Sequence, residues 1–212
     1  MHCTWFSLFS VCAVVSAHAL ARPVVVGELP SLKDAHVETF IDEVYGRRPV
    51  ERPADMTFAD LYPPVKFAGN LSDGVEISMD ACRRIVVCRY RGLYGEDSFR
   101  FTVFMPRSAK RPVPAFILIC NRNPGVNIDP CRVSRTSFWP AEEIVARGYA
   151  AIAFWTDEVA VDCGSAEYAF RSGVFRCFED SAKPREDNAW GAISAWAWGA
   201  SRIMDWIETC TT

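Results

Sequence analysis

Hydrophobic and polar positions change rhythm several times along this chain, and each rhythm predicts a different element. In residues 31–45 the apolar Val37, Phe40, Ile41, Val44 and Tyr45 recur at helical spacing, which predicts one face of an amphipathic helix. Ser31 with Asp34 three positions on fits a helix N-cap, and Gly46 suits the left-handed position that ends a helix. An extended segment stiffened by Pro49 and Pro53 follows. The period then falls to two. Residues 75–79 alternate weakly, residues 84–90 carry Ile85, Val86 and Val87, and Phe99, Phe101, Val103 and Met105 alternate with Arg100 and Thr102. With a turn-like stretch at 92–97, these read as antiparallel neighbours. A basic, proline-bounded turn is expected at 106–112.

Two later runs, 114–120 and 149–155, are apolar on every side, as strands buried on both faces of a sheet are. Between them lie a polar loop at 121–134 and a helix from Pro140 to Arg147, ended by Gly148. Strand, helix and strand in that order are the βαβ signature of a parallel sheet. The expected fold class is therefore α/β, with antiparallel leading strands followed by a parallel βαβ unit. Residues 156–187 show no strong period, and a loop of that length in a compact domain is usually functional. Residues 186–212 read as one long Trp-rich helix.

The first 21 residues read as a secretion signal. Residues 5–15 are apolar, and the small residues Ala17, Ala19 and Ala21 offer small-x-small cleavage sites. The apolar run is shorter than the ~20 residues a membrane span needs. The expected division is a signal at 1–21 and one α/β domain at 22–212. The expected location is secreted or periplasmic, with no membrane association after cleavage. Oxidation of cysteine pairs is then allowed. Of nine cysteines, Cys3 and Cys12 leave with the signal. Cys163 with Cys177, and Cys82 with Cys88, are candidate pairs, and Cys120 reads as a buried thiol.

Composition narrows the partners. The chain has 212 residues, half of them hydrophobic, and a net charge of −3. There is no basic patch to bind nucleic acid. Seven tryptophans predict a bulky core, since each buries a large area.

Histidine is the informative shortage. Of three, His2 and His18 fall in the signal and His36 lies in the first helix. That leaves no base for a Ser–His or Cys–His nucleophile pair and no histidine metal cluster. No C-x-x-C pair suggests structural zinc. Ser194, in Gly191-Ala192-Ile193-Ser194-Ala195, resembles half of a G-x-S-x-G elbow, but it sits inside a helix pattern without a buried strand before it. It reads as structural. No G-x-x-x-x-G-K-[ST] loop is present, and no cofactor is expected. In an open α/β sheet, ligands bind beyond the carboxyl ends of the strands. That rule marks Asn121, Arg122 and Asn123 after the first buried strand, and Asp157 after the second, as substrate-binding candidates. Glu158 and Asp162 lie nearby.

Three stretches carry a family resemblance. Phe138-Trp139-Pro140-Ala141-Glu142-Glu143-Ile144-Val145-Ala146-Arg147-Gly148-Tyr149-Ala150 resembles a helix and strand of the bacterial glucuronoyl esterase-like proteins, carbohydrate esterases of the α/β-hydrolase superfamily. Asn188-Ala189-Trp190-Gly191-Ala192-Ile193-Ser194-Ala195-Trp196-Ala197-Trp198-Gly199-Ala200-Ser201-Arg202 is similar to the helix before that family's nucleophile elbow. Asp42-Glu43-Val44-Tyr45-Gly46-Arg47 looks like its EVYGR segment, and residues 170–179 look like the variable loop between.

The resemblance implies a serine esterase acting on glucuronoxylan esters of the plant cell wall. It also implies that this chain is the N-terminal half. The family's nucleophile lies in a G-x-S-R-x-G-K-type elbow on the strand after this helix, with the acid and histidine later still. Cys210 stands where the family continues into an Asp-rich turn. No catalytic residue can therefore be carried over, and the chain alone is expected to be inactive. An acetylxylan esterase-like hydrolase, or a non-catalytic secreted binding or structural protein on the same scaffold, are the alternatives. A sheet cut at its centre is also expected to expose an unpaired edge and the apolar face of the last helix.

Overall fold

The structure is a computed structural model and describes residues 13–15, 34–67, 80–107 and 112–210. Among these, seven strands form one mixed sheet in the order β1-β6-β7-β5-β4-β2, with β3 also paired to β4. The strands are β1 (Ala13–Val15), β2 (Thr57–Asp60), β3 (Val65–Phe67), β4 (Ala81–Arg91), β5 (Glu96–Pro106), β6 (Ala115–Cys120) and β7 (Ala150–Trp155). β4 and β5 are a single long hairpin, in register from Ala81↔Pro106 to Arg91↔Glu96. Gly92 N–H donates to the Gly95 carbonyl at 2.9 Å and closes its turn. β6 and β7 are parallel, and β5 and β7 antiparallel. The expected α/β class, with antiparallel leading strands and then a parallel βαβ unit, is the one observed.

The period-two pattern of β4 and β5 splits the sheet into two faces. Val86, Cys88 and Tyr90, with Phe99, Phe101 and Val103, point to one face. Ile117, Ile152 and Phe154 join them there. Helix α6 (Ala192–Thr209) lies on this face. Trp198 meets Tyr90 edge-on at 4.8 Å and Phe178 at 5.6 Å, and Trp206 meets Phe101 at 5.2 Å. Trp196 Nε1 donates to the Ala160 carbonyl at 2.8 Å. Trp139, Trp190, Trp196, Trp198 and Trp206 are all buried, so the tryptophan surplus is core. The second face carries Phe104, Leu118, Ala151 and Ala153 against Trp139 and helix α3 (Ala141–Ala146).

Several boundaries differ from the sequence reading. α6 begins at Ala192, six residues later than expected. Backbone contacts hold the preceding segment extended: Ala189 bridges Arg47, and Gly191 N–H donates to the Tyr45 carbonyl at 3.2 Å. The last helix does not present an apolar face, because its tryptophans and Ile203 are sealed against the sheet. The outer edge of β6 is paired along residues 115–117 by β1, which falls within the expected signal, and residues 118–120 of that edge have no strand partner among the described residues. The rest of the expected signal, Ser31, and the strand expected at 75–79 lie outside the described residues, as do residues 108–111 of the basic turn. The first helix runs as α1 (Asp34–Phe40) and widens into a π-helical turn, Ile41–Tyr45. Val37, Phe40, Val44 and Tyr45 are exposed, against the helical-face reading. This segment is held by its main chain instead. Gly46 then takes φ +75° against the Ala189–Trp190 backbone, where a Cβ would collide.

The long loop after β7 is built rather than structureless. It contains a 3₁₀ turn (Thr156–Glu158) and two short helices, α4 (Ala166–Ala169) and α5 (Gly173–Phe178). The polar loop after β6 likewise contains α2 (Pro124–Asn127).

A buried ion pair closes the β6 loop onto α3, and sequence reading did not find it. Arg132 holds φ +55° with its side chain 1% exposed. Its Nε donates to Glu142 Oε1 at 2.8 Å and its Nη2 to Oε2 at 2.7 Å. The same Nη2 reaches the Trp139 carbonyl at 3.1 Å. Arg135 Nε donates to the Arg132 carbonyl at 2.7 Å. Burial alone would raise the Glu142 carboxyl pKa, but hydrogen bonds and charge from Arg132, with Arg135 behind, hold it below its ordinary value. Ten residues separate the partners, so no local pattern announces the pair.

Among the described residues every cysteine is a free thiol. Cys82 and Cys88 lie six residues apart on one strand, roughly 20 Å at ~3.3 Å per residue, far beyond disulfide reach. Cys163 is exposed and turned to the Ser165 carbonyl, while Cys177 is buried and turned to the Gly173 carbonyl. Neither proposed pair forms. Burial pushes the Cys88 thiol up to about 12 and the Cys177 thiol up to about 11. Iodoacetamide at neutral pH should therefore label Cys131 and Cys163 on the native chain and spare Cys88, Cys120 and Cys177 until denaturant is added, as read by peptide mass spectrometry. Modification of Cys177 at the rate of Cys163 would contradict this packing.

Removal of Glu142 leaves Arg132 buried without its counter-charge. Glu142→Ala should lose about 3–5 kcal/mol in urea unfolding. Because the folded-state pKa is depressed, the pair's stabilisation is full above the ordinary glutamate value of 4.5. It drains away as pH falls through the lower folded value. Glu142→Gln should flatten that acid limb in unfolding curves taken across pH.

Candidate functional site

Parallel pairing brings Cys120 opposite Trp155, so the chain leaves β6 and β7 side by side at one end of the sheet. The side chains there are stitched. Thr156, 1% exposed, donates its hydroxyl to the Cys120 carbonyl at 3.2 Å. This one bond fixes the start of the β7 loop against the start of the β6 loop.

The candidates from the strand-end rule all sit at this end. Asn121, Arg122 and Asn123 are exposed. The Arg122 guanidinium lies over the Phe138 ring at 4.1 Å, which ties the loop down through a cation–π contact. Asn123 Oδ1 accepts from Gly125 N–H at 3.0 Å and starts α2. Asn127 Nδ2 donates to the Asn123 carbonyl at 3.0 Å.

Asp157 is half-buried beside Thr156, whose hydroxyl lies 3.4 Å from Asp157 Oδ1. Burial raises its pKa; the Thr156 contact opposes this and the Asp162 charge adds to it. The neighbouring Glu158 is committed elsewhere. It accepts from Arg100 Nη2 at 2.6 Å and from the Arg100 backbone at 2.7 Å.

Asp157 lines a hollow of about 550 Å³ with Arg89, Ser98, Arg100, Glu158 and Tyr168 among its walls. Asn121, Arg122 and Asn123 are not in that lining. The fold brings the four candidates to one end of the sheet, with Asp157 alone of the four in the lining of this hollow. What the strand-end rule missed is the opposite wall of the hollow, contributed by β4 and β5. The exposed alternation of Arg89 on β4 with Ser98 and Arg100 on β5 was the available signal.

Ser194 is buried in the first turn of α6, and its hydroxyl donates to the Tyr45 carbonyl at 2.7 Å. It joins two segments and faces no base. Among the described residues no group of three or more His, Cys, Asp or Glu side chains is placed to hold a metal ion.

No family model matches the chain, and no curated protein matches it in sequence. Solved structures match it in fold. Two structures of a glucuronoyl esterase from Solibacter usitatus each superpose with a TM-score of 0.59 over 82% of this chain, at 24% and 23% identity. A promiscuous CE15 esterase from a marine bacterial metagenome superposes over 84% of this chain with a TM-score of 0.52 at 18% identity. The match occupies 46–47% of those chains, so this chain spans less than half the length of the structures it resembles. The α/β fold of this chain is thus one it shares with glucuronoyl esterases.

Proposed function

We propose that this chain is the N-terminal, scaffold-bearing portion of a secreted glucuronoyl esterase-like α/β-hydrolase. The observation that carries the reading is the fold match to the Solibacter usitatus enzyme, which takes in 82% of this chain and 46% of that one. In the complete protein a serine attacks the ester carbonyl, a histidine takes and returns its proton, a carboxylate orients the histidine, and preorganised donors hold the oxyanion. Those groups come from sequence beyond the residues described here. The part played by this chain is to fix the two parallel strands and the loops that leave them. Asn121, Arg122, Asn123 and Asp157 stand at that end as substrate-contacting residues, and esters of plant glucuronoxylan are the proposed substrate class.

Two measurements test this. The purified 212-residue chain should hydrolyse the benzyl ester of glucuronic acid no faster than buffer; saturable turnover would show that catalysis needs nothing more. The reading frame downstream of Thr212 should encode a strand–turn–helix with a G-x-S-x-G elbow. A downstream sequence without one would overturn the scaffold reading.

A further inference from the structure

α6 seals the aromatic face of the sheet, and on the other face Ala81 of β4 and Phe104 of β5 pack with α3 at one end of the β4–β5 hairpin. Toward the hairpin's turn that second face is uncovered. On the uncovered face, Thr57, Arg89 and Ser98 sit opposite one another across three strands, and all three are exposed. Two hollows of about 630 and 550 Å³ adjoin there and share Arg89, Asp97 and Ser98. Together they make a trough from Asp55 at one end to Asp157 and Tyr168 at the other.

The lining specifies a kind of ligand. It carries five carboxylates and three guanidiniums, a balance that repels polyanions. Most of these charges are already matched. Arg91 pairs with Glu96 at 2.7 Å, Arg100 with Glu158 at 2.6 Å, and Asp97 with Arg176 at 3.1 Å. Three are not. The Arg89 guanidinium has no hydrogen bond or ion pair to a described residue, and neither Asp55 nor Asp157 has an ion-pair partner among them. The trough therefore offers a spare donor fork with a spare acceptor at each end. Tyr168 at its rim is 61% exposed, and its ring face is open for stacking. A hydroxyl-rich chain without charge meets all three: vicinal hydroxyls accept from a guanidinium and donate to a carboxylate, and a sugar ring covers an aromatic face.

We propose that the exposed stretch of β2–β4–β5 around Arg89 is a binding trough for a neutral oligosaccharide chain, held by Arg89 and Asp157 and stacked on Tyr168. The proposal goes beyond the esterase reading, since binding here needs no catalytic group. It is tested by binding rather than turnover, so either reading can fail without the other.

The experiment is a titration of the ¹⁵N-labelled 212-residue chain with xylohexaose and, separately, cellohexaose. Saturable shifts are expected at the amides of Thr57, Arg89, Ser98 and Arg100, with Kd of about a millimolar or tighter. Arg89→Ala and Tyr168→Ala should each weaken binding about tenfold. Glu143→Ala, on the exposed side of α3, should leave it unchanged. Both trough positions are exposed, and matched thermal melts confirm that the variants fold. No saturable shift with either sugar up to about 10 mM, or binding indifferent to both trough substitutions, would mean an ordinary solvated sheet face. Tighter binding of trigalacturonate than of the neutral sugars would overturn the assignment of a neutral ligand.

Discussion

Trp198 is fully buried between α6 and the sheet, its ring edge-on to Tyr90 and Phe178. Trp206 and Trp196 extend the same seam along the helix. An aromatic side chain of this size buries ~150–250 Å², worth roughly 5 kcal/mol at ~25 cal/mol/Å². Two polar atoms in the seam, Trp198 Nε1 and the Tyr90 hydroxyl, find no hydrogen-bond partner among the described residues, which costs ~1–3 kcal/mol each. The seam holds through area and ring geometry in spite of them. It sets which face of β4 and β5 turns toward α6, and so which face carries Arg89 and Ser98. The trough on the far side is a consequence of this choice.

Local physics made much of the architecture legible. Alternation located β4 and β5, unbroken apolar runs located β6 and β7, and Gly148, at φ +85°, closed the helix between the last two. The strand-end rule placed Asn121 to Asn123 and Asp157 at one end of the sheet because that rule follows from parallel pairing alone. The misses have a common cause. α6 starts late because Ala189 and Gly191 are engaged by Arg47 and Tyr45, residues more than 140 positions away. The apolar stripe of α1 is exposed because the main chain carries that segment's contacts. The Arg132–Glu142 pair and the Cys177 environment depend on tertiary neighbours that no window of sequence contains. The cysteine reading failed for a simpler reason: six residues of extended strand cannot be bridged.

Charge is distributed with the same division of labour. Around the β6 loop a guanidinium and a carboxylate are sealed together, so that loop is costly to open. In the β7 loop Arg185 pairs with Glu179 through two bonds of 2.7 Å while its plane lies 3.7 Å from the Phe170 ring centre. In the β7 loop one arginine thus uses its charge and its flat face together, whereas the β6 loop divides these between Arg132, paired with Glu142, and Arg122, stacked on Phe138.

The Tyr45 carbonyl accepts from both Gly191 N–H and the Ser194 hydroxyl. One carbonyl oxygen at Tyr45 therefore fixes the entry of the last helix. During synthesis, N-terminal segments emerge first, but this junction cannot close until residue 194 has left the ribosome. Closing so long a loop carries an entropic cost before any contact repays it. Residues 37–45, with their exposed apolar side chains, must wait through that interval without their partner. A nascent chain paused before α6 would present this segment to chaperones.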